Sequence, residues 1–484
     1  FASNIGAEHI IGLAGTGADS GLAVGQFEIL ASLMLLLLGW VFVPFYLKSG
    51  VFTMPEFLEK RYGEGARWYL AIISIVGYIL TKISITIAAG GIVFETLMGI
   101  NFWTGALIVI VATGVYTVFG GLRAVLYTDL LQMFVLIGGA VAVTYIGLAE
   151  IGGWDVMYES AGPGFFTVWK PMTDPDFPWT GIIFGAPILG VWYWCTDQFI
   201  VQRVLSASNI DNARRGTIFA GFLKQLPLFI FVVPGIIAYV LSQSGQLTLD
   251  EPDQALPALI GTLLPVGLRG LVVAGLLAAL MSSLSSVFNS CSTLISWDIY
   301  RKIKPDASDK TLVRVGQIST IGMVALGLLW IPFMDQISGK LFVYLQSVQG
   351  YIAPPIAAVF LVGIMWRRVN AKGAIASLIT GFIIGMTRLI AELNKEALDG
   401  IMFTFADINF LHFAFDLFLV CIAVLIVVSL ASEAPSDEKV KDLTFSTVDK
   451  STALASDPLW KQKDVWAAFI LLGIIASVWL YFTG

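Results

Sequence analysis

The chain has 484 residues, of which 57% are hydrophobic and only 13% charged, and its mean hydropathy is +0.83. Soluble globules carry about a quarter charged residues, so this composition excludes a soluble domain and points to a polytopic membrane protein. The net charge of −6 decides little, because such chains sort charge by side of the membrane rather than sum it.

In chain order, the first stretch, Phe1 to Gly17, holds Asn4, Glu8, His9 and four glycines beside long apolar runs. Each polar side chain in lipid needs a partner and each glycine weakens a helix. This is the pattern of a broken helix lining a cavity, where unwound backbone can hold ions and solute. The chain opens at Phe1 inside that helix, so preceding sequence is expected to be missing. Spans of the length that crosses about 30 Å of hydrocarbon then follow at roughly 24–47, 67–99, 103–120, 124–150, 179–202, 213–242, 267–300, 312–334, 339–366, 370–391, 409–432 and 464–483. With the truncated first segment they make about thirteen.

Alternate loops gather Lys and Arg: Lys60, Arg61 and Arg67; Arg123; Arg203, Arg214 and Arg215; Arg301, Lys302, Lys304, Lys310 and Arg314; Arg367, Arg368 and Lys372; Lys439, Lys441, Lys461 and Lys463. The positive-inside rule makes these cytoplasmic and the C-terminus extracellular, as in a multi-pass plasma-membrane protein. On the other side, 152–178 and 242–265 are long enough to form a lid or to be plain connectors. The polar stretch 432–463 reads as a mobile cytoplasmic linker. The span at 179–202 is interrupted by Gly185, Pro187 and Gly190 before Tyr193, Trp194 and Asp197. It lies five spans after the interrupted first segment, and interrupted segments at matching positions of two halves point to an inverted-repeat transporter.

Cys195, Cys291 and Cys421 sit in apolar runs and suggest neither disulfides nor a metal site. No HExxH, GxSxG or P-loop motif is present, so an enzyme is not expected, nor a nucleic-acid partner. The intramembrane polar residues fall into two sets. Asn4, His9, Glu28, Tyr193, Trp194, Lys224, Gln346 and Gln349 suit a neutral, hydroxyl-rich ligand, with fixed hydrogen-bonding groups beside two aromatic faces. Lys224 has apolar neighbours on both sides, which argues against a snorkelling role. Ser3, Asp129, Ser282, Ser283, Ser285 and Ser286 offer small oxygens. Helical spacing puts Ser282, Ser285 and Ser286 on one face, with Ser283 flanking. Such a strip suits Na⁺, a hard cation that takes oxygen ligands. It equally suits close helix packing with serines bonded back to the preceding turn. Asp129 reads either as a second cation ligand or as a headgroup-level cap.

Several motifs carry a family resemblance: FASNIGAEH (1–9), GVFTMPEF (50–57), WYWCTDQFIVQR (192–203), ALMSSLSSVFNS (279–290) and IAPPIAAVF (352–360). Together they resemble the sodium/solute symporter family, in its sodium-glucose cotransporter branch. The resemblance implies an all-α LeuT-type fold of two inverted five-helix repeats, residues 1–150 and 179–366, joined by an extracellular loop at 151–178. Residues 367–484 would add three helices, with a cytoplasmic linker at 433–463, and the family's first helix would be absent. It implies Na⁺-coupled sugar symport in a lipid bilayer. A sodium site would use the carbonyls of Ala2, Ile5 and Ala279 and the hydroxyls of Ser282 and Ser283. A second sodium would take Ser3, Asp129, Ser285 and Ser286. The sugar would contact Asn4, His9, Glu28, Tyr193, Trp194, Lys224 and Gln346, with Tyr193 as the inner gate. The chain departs from the family at Gly190, where sugar carriers often have Thr or Asn, at Ile29, commonly Trp, and at Val343, commonly Asp. These departures bear on which sugar is taken. Inositol, sialic acid or an amino acid is the alternative solute, and a non-accumulating sugar sensor the alternative role.

Overall fold

The computed structural model describes residues 4–51, 53–334, 337–447 and 463–483, apart from the side chains of 116 and 118–133. Among the described residues, nine helices are long and apolar enough to cross a membrane. The chain is unwound over Asn4–Gly6, turns once as a wide helix over Glu8–Leu13, and enters α1 (Ala14–Ser20), followed by α2 (Gln26–Leu37). A short amphipathic helix, α3 (Met54–Tyr62), starts where Thr53 accepts from the Glu56 amide at 3.3 Å with Pro55 in the first turn. That pairing satisfies a free helix-start donor where Pro costs nothing. Next come α4 (Glu64–Met98) and α5 (Phe102–Glu150).

At 49 residues α5 would be about 74 Å long if straight, more than twice a membrane. Yet Gly105 packs on Phe94, whose helix meets Gly261 through Leu97, while Gly147 packs on Leu263. Residues near both ends of α5 thus lie close to one nine-residue helix, Ala255–Leu263, so α5 cannot be straight.

The second interrupted segment differs from the sequence expectation. Gly185 and Gly190 stay in the right-handed helical region, and Pro187 sits in the first turn of a short helix where its missing amide is not needed. The break falls instead at Asp197, whose backbone is extended (φ −76°, ψ 127°) and whose carboxylate accepts from the Phe199 amide to start α6 (Gln198–Leu205). Then follow α7 (Ile210–Leu223), α8 (Val233–Gln243), α9 (Ala255–Leu263), α10 (Val266–Ile303), α11 (Asp309–Phe333), α12 (Leu341–Met365), α13 (Ala371–Leu393), α14 (Phe410–Leu430) and α15 (Lys463–Tyr481). The first segment, α8 and α12 form the centre, and α13 to α15 lie outside it with large lipid-facing apolar surfaces. Gly235 of α8 lets the first segment close in, since a side chain there would overlap the Ala14 carbonyl.

The long loops opposite the basic side are folded inward. Lys340 pairs with Asp19 and Asp176 at 2.6 Å each, Asp253 caps α12 by accepting from the Leu341 amide at 2.9 Å, and Asn409 donates to the Pro175 carbonyl at 2.7 Å. On the basic side, Arg67 pairs with Glu59 (2.5 Å) and Asp298 (2.7 Å), and Lys302 with Glu59 (2.5 Å). Part of the expected mobile linker is folded here. Lys439 donates to the Glu59 carbonyl (3.1 Å), the Phe445 amide to the Ile364 carbonyl (2.8 Å), and the Phe445 ring stands edge-on to Phe45. Residues 448–462 lie outside the described residues.

Burial alone would raise the Glu59 carboxyl, but Lys302 and Arg67 hold it below the usual carboxylate range. A depressed value means stability that is present above the unfolded value of about 4.3 and lost as pH falls through the folded one. Glu59→Gln should therefore lower the thermal midpoint at neutral pH while flattening its fall toward about pH 4. Parallel wild-type and mutant melting curves across pH would refute this.

Candidate functional site

Four pieces of chain bring polar groups to one point between the two breaks. Lys224 follows α7 directly and is 1% exposed. From there its ammonium donates to Asn4 Oδ1 (2.7 Å), lies 3.1 Å from His9 Nε2, and pairs with the Glu28 carboxylate of α2. His9 Nε2 is also 3.1 Å from Glu28 Oε1. Asn4 Nδ2 donates to Tyr193 Oη (2.8 Å), which joins the first break to the segment leading into the second. Tyr193 and Trp194 meet edge to face with ring centres 5.1 Å apart, and Lys224 stands 5.3 Å from the Trp194 ring centre.

These groups border a cavity lined by Asn4, Glu8, His9, Glu28, Tyr193, Trp194, Gln346 and Gln349. Phe27 and Phe342, edge-to-face at 5.4 Å, also line it. A further space of about 740 Å³ shares Asn4 and Trp194 and runs past Ile200, Arg203 and Asn212 toward the basic side. Seven of the eight residues expected to hold the solute line the first cavity, and Lys224 stands behind it, bonded to Asn4 and Glu28.

The oxygen set is described in part. Ile5, Ala279, Ser282, Ser283, Ser285 and Ser286 are all buried. The break in the first segment lies against α10, since a methyl on Gly6 would come 2.6 Å from Ser283 Oγ. Ser285 Oγ donates to the Ser282 carbonyl (2.9 Å), the back-bonding expected of packing serines, which leaves its lone pairs unused. Ser286 Oγ is buried with no hydrogen-bond partner among the described residues. Such an atom calls for an unseen partner such as an ion or water. Ala2 and Ser3 lie outside the described residues, as does the side chain of Asp129.

Sequence reasoning passed over Lys82, Glu8, Phe27 and Phe342. Lys82 carries the signal that singled out Lys224, a lone cation inside an apolar span. It donates to Tyr193 Oη at 2.9 Å. The two aromatics read only as core.

A model of the sodium:solute symporter family matches residues 1–381. This chain belongs to the sodium:solute symporter family. Among its relatives, "Sodium/glucose cotransporter 1" of Oryctolagus cuniculus is 40% identical over 92% of this chain and 74% of its own length. "Sodium/myo-inositol cotransporter" of Homo sapiens is also 40% identical, over 92% and 68%. A solved Na⁺-coupled sialic acid symporter, substrate-bound and outward-open, shares the fold at a TM-score of 0.74 with 21% identity, over 90% of this chain and 89% of its own. The symporter is therefore a multi-pass membrane transporter that couples a solute to Na⁺, and not an enzyme.

Its buried pair should behave as a unit. Removing one partner of a buried ion pair typically costs about 3–5 kcal/mol, and removing both much less. Lys224→Met and Glu28→Gln should each lower detergent-solubilised stability sharply, and the double variant should recover much of the loss. Additive losses would show that the two charges are not each other's main partners.

Proposed function

We propose that this symporter carries a neutral hexose of the glucose or galactose type, with two Na⁺ per sugar, by alternating access. The observation that carries this reading is the neutrality of the cavity. Lys224 is matched by Glu28 and Lys82 by Glu8, so an anionic solute such as sialic acid would find no unmatched cation among the described cavity residues. What remains is a dense set of donors and acceptors beside aromatic edges: Asn4, His9, Glu28, Tyr193, Trp194, Lys224 and Gln346. Gln346 and Gln349 make no side-chain hydrogen bond among the described residues, so both amides are available to hydroxyls. Inositol is the second reading, because a cyclic polyol presents the same hydroxyl chemistry and the relatives include a sodium/myo-inositol cotransporter.

The two moving halves are residues 1–150 and 179–366, each broken in its first helix, with 151–178 as outer loop and 367–484 as added helices. The basic loops are cytoplasmic and the C-terminus is extracellular, in a plasma membrane. In that orientation Phe27, Phe342 and Lys340 shut the outer side, while the larger space past Arg203 opens inward. Tyr193 stands between the two spaces as the inner gate. One sodium lies among the carbonyls of Ala2, Ile5 and Ala279 and the hydroxyls of Ser282 and Ser283. A second lies with Ser3, Asp129, Ser285 and Ser286, where the orphan hydroxyl of Ser286 becomes a ligand of the ion. Each charge moved through about 100 mV is worth about 2.3 kcal/mol, so the second ion adds about one and a half decades of accumulation.

Sodium-driven uptake in proteoliposomes tests the reading with a panel of hexoses, inositol and sialic acid. Accumulation of a hexose should depend on sodium with a Hill coefficient well above one, and Ser286→Ala should bring it toward one. Tyr193→Ala should cut uptake by at least about tenfold, the equivalent of about 1.4 kcal/mol. Sodium-dependent binding without accumulation would identify a sensor, and a Hill coefficient near one in the wild type would remove the second site.

A further inference from the structure

Glu8 and Lys82 carry charge at the junction of the solute and ion groups, yet neither has a part in the roles given above. They are 4% and 3% exposed, with Lys82 Nζ 3.6 Å from Glu8 Oε1. Lys82 donates to Tyr193 Oη at 2.9 Å, and its ammonium lies 4.4 Å from the Tyr193 ring centre and 4.2 Å from that of Phe199. Tyr193 precedes the Asp197 break and Phe199 follows it, so one cation rests on both halves of the broken helix. Glu8 has two faces. Its Oε1 is turned to Lys82, while a methyl on Gly6 would come 2.7 Å from its Oε2 and 2.6 Å from Ser283 Oγ. One carboxylate oxygen thus neighbours the serine face of α10, where hydroxyls and carbonyls supply no formal charge.

We propose that Glu8 and Lys82 are the coupling pair of the symporter: a cation at the Ser282–Ser283 face draws on the Glu8 carboxylate, and Lys82, released from Glu8, holds Tyr193 over the solute. The proposal rests on the sodium-symport reading. Glu28 is not an equivalent partner, because Lys224 and His9 already hold it. With the cation present, Glu8 offsets its charge and Lys82 turns fully to the Tyr193 hydroxyl and to the rings on either side of the break. With the cation gone, Lys82 returns to Glu8 and its hold on Tyr193 weakens. Linkage is reciprocal, so bound solute must also tighten sodium binding.

The two charges make opposite predictions for sodium, which a merely structural role would not. On the purified full chain, ²²Na⁺ binding is measured without sugar, and binding of labelled glucose and labelled inositol at zero and saturating sodium. In the wild type, sodium should tighten solute binding by a factor in the usual range of about 5–150. Glu8→Gln should weaken ²²Na⁺ binding at least about fivefold and bring the ratio of solute affinities with and without sodium close to one. Lys82→Gln should tighten ²²Na⁺ binding, since it frees Glu8, and also abolish the sodium effect on solute. Where a single variant is not monodisperse, the double variant Glu8→Gln/Lys82→Met removes both charges together and should bind solute equally with and without sodium. Single variants that move sodium affinity in the same direction, or any variant that keeps the wild-type sodium effect, overturn the proposal while leaving symport intact. A wild type that binds no ²²Na⁺ overturns both.

Discussion

The structure depends on the burial of Lys224 against Glu28. A charge in the hydrocarbon region is costly, and the cost falls only where partners are fixed in place. Here the partners come from separate stretches: Glu28 from α2, Asn4 and His9 from the first segment, and Lys224 from the end of α7. These stretches cannot move apart without stranding a buried charge. The pair therefore fixes the frame in which the cavity, Tyr193 and the two breaks are placed.

Most charged contacts toward the two ends are of another kind, the buried Arg67–Asp298 pair excepted. Lys340 and its partners Asp19 and Asp176 are each one-fifth or more exposed, as are Glu59 and Lys302 on the basic side. Water can replace such contacts at little cost, about 0–1 kcal/mol for an exposed pair. Alternating access, as proposed above, would use this contrast between end contacts that exchange with solvent and central pairs that do not. Phe27 and Phe342 add an apolar closure on the Lys340 side, where no ion pair has to be dehydrated.

Much of this was legible in the sequence because charge inside an apolar run is rare. Lys224, Glu28 and His9 stand out for that reason, and the structure brings them within hydrogen-bonding distance of one another. Lys82 carried the same signal but sits in a span with no other marker, and its meaning depends on Tyr193 and Glu8, which lie 111 and 74 positions away in the chain. The break at Asp197 was displaced to the glycines and proline at 185–190 because those residues punctuate helices locally. Tight packing of Gly185 on the Leu411 carbonyl turns one of them to a packing use instead, and the actual break is made by a carboxylate cap. The stretch 437–447 reads as linker by polarity, yet Val440, Leu443 and Thr444 are buried. Three small or apolar residues in a charged stretch are too few to register as a pattern, though they suffice to dock it.

The first segment explains how several ligands can sense one another without a long pathway. Within residues 4–9, Asn4 reaches Tyr193 and Lys224, Gly6 lies against Ser283, Glu8 faces Lys82, and His9 meets Glu28. A regular helix could not serve all of these, since its side chains project at fixed intervals of 100°. Unwinding at Asn4–Gly6 frees the chain to point in several directions within two turns. The unwound backbone has to find partners in a medium without water; the Gly6 carbonyl does so by accepting from the amides of His9 and Ile10, at 3.0 and 3.1 Å. A shift of this one turn alters the aromatic contact, the serine contact and both ion pairs together, so with ion and solute placed as proposed, coupling between them needs only short-range electrostatics within six residues.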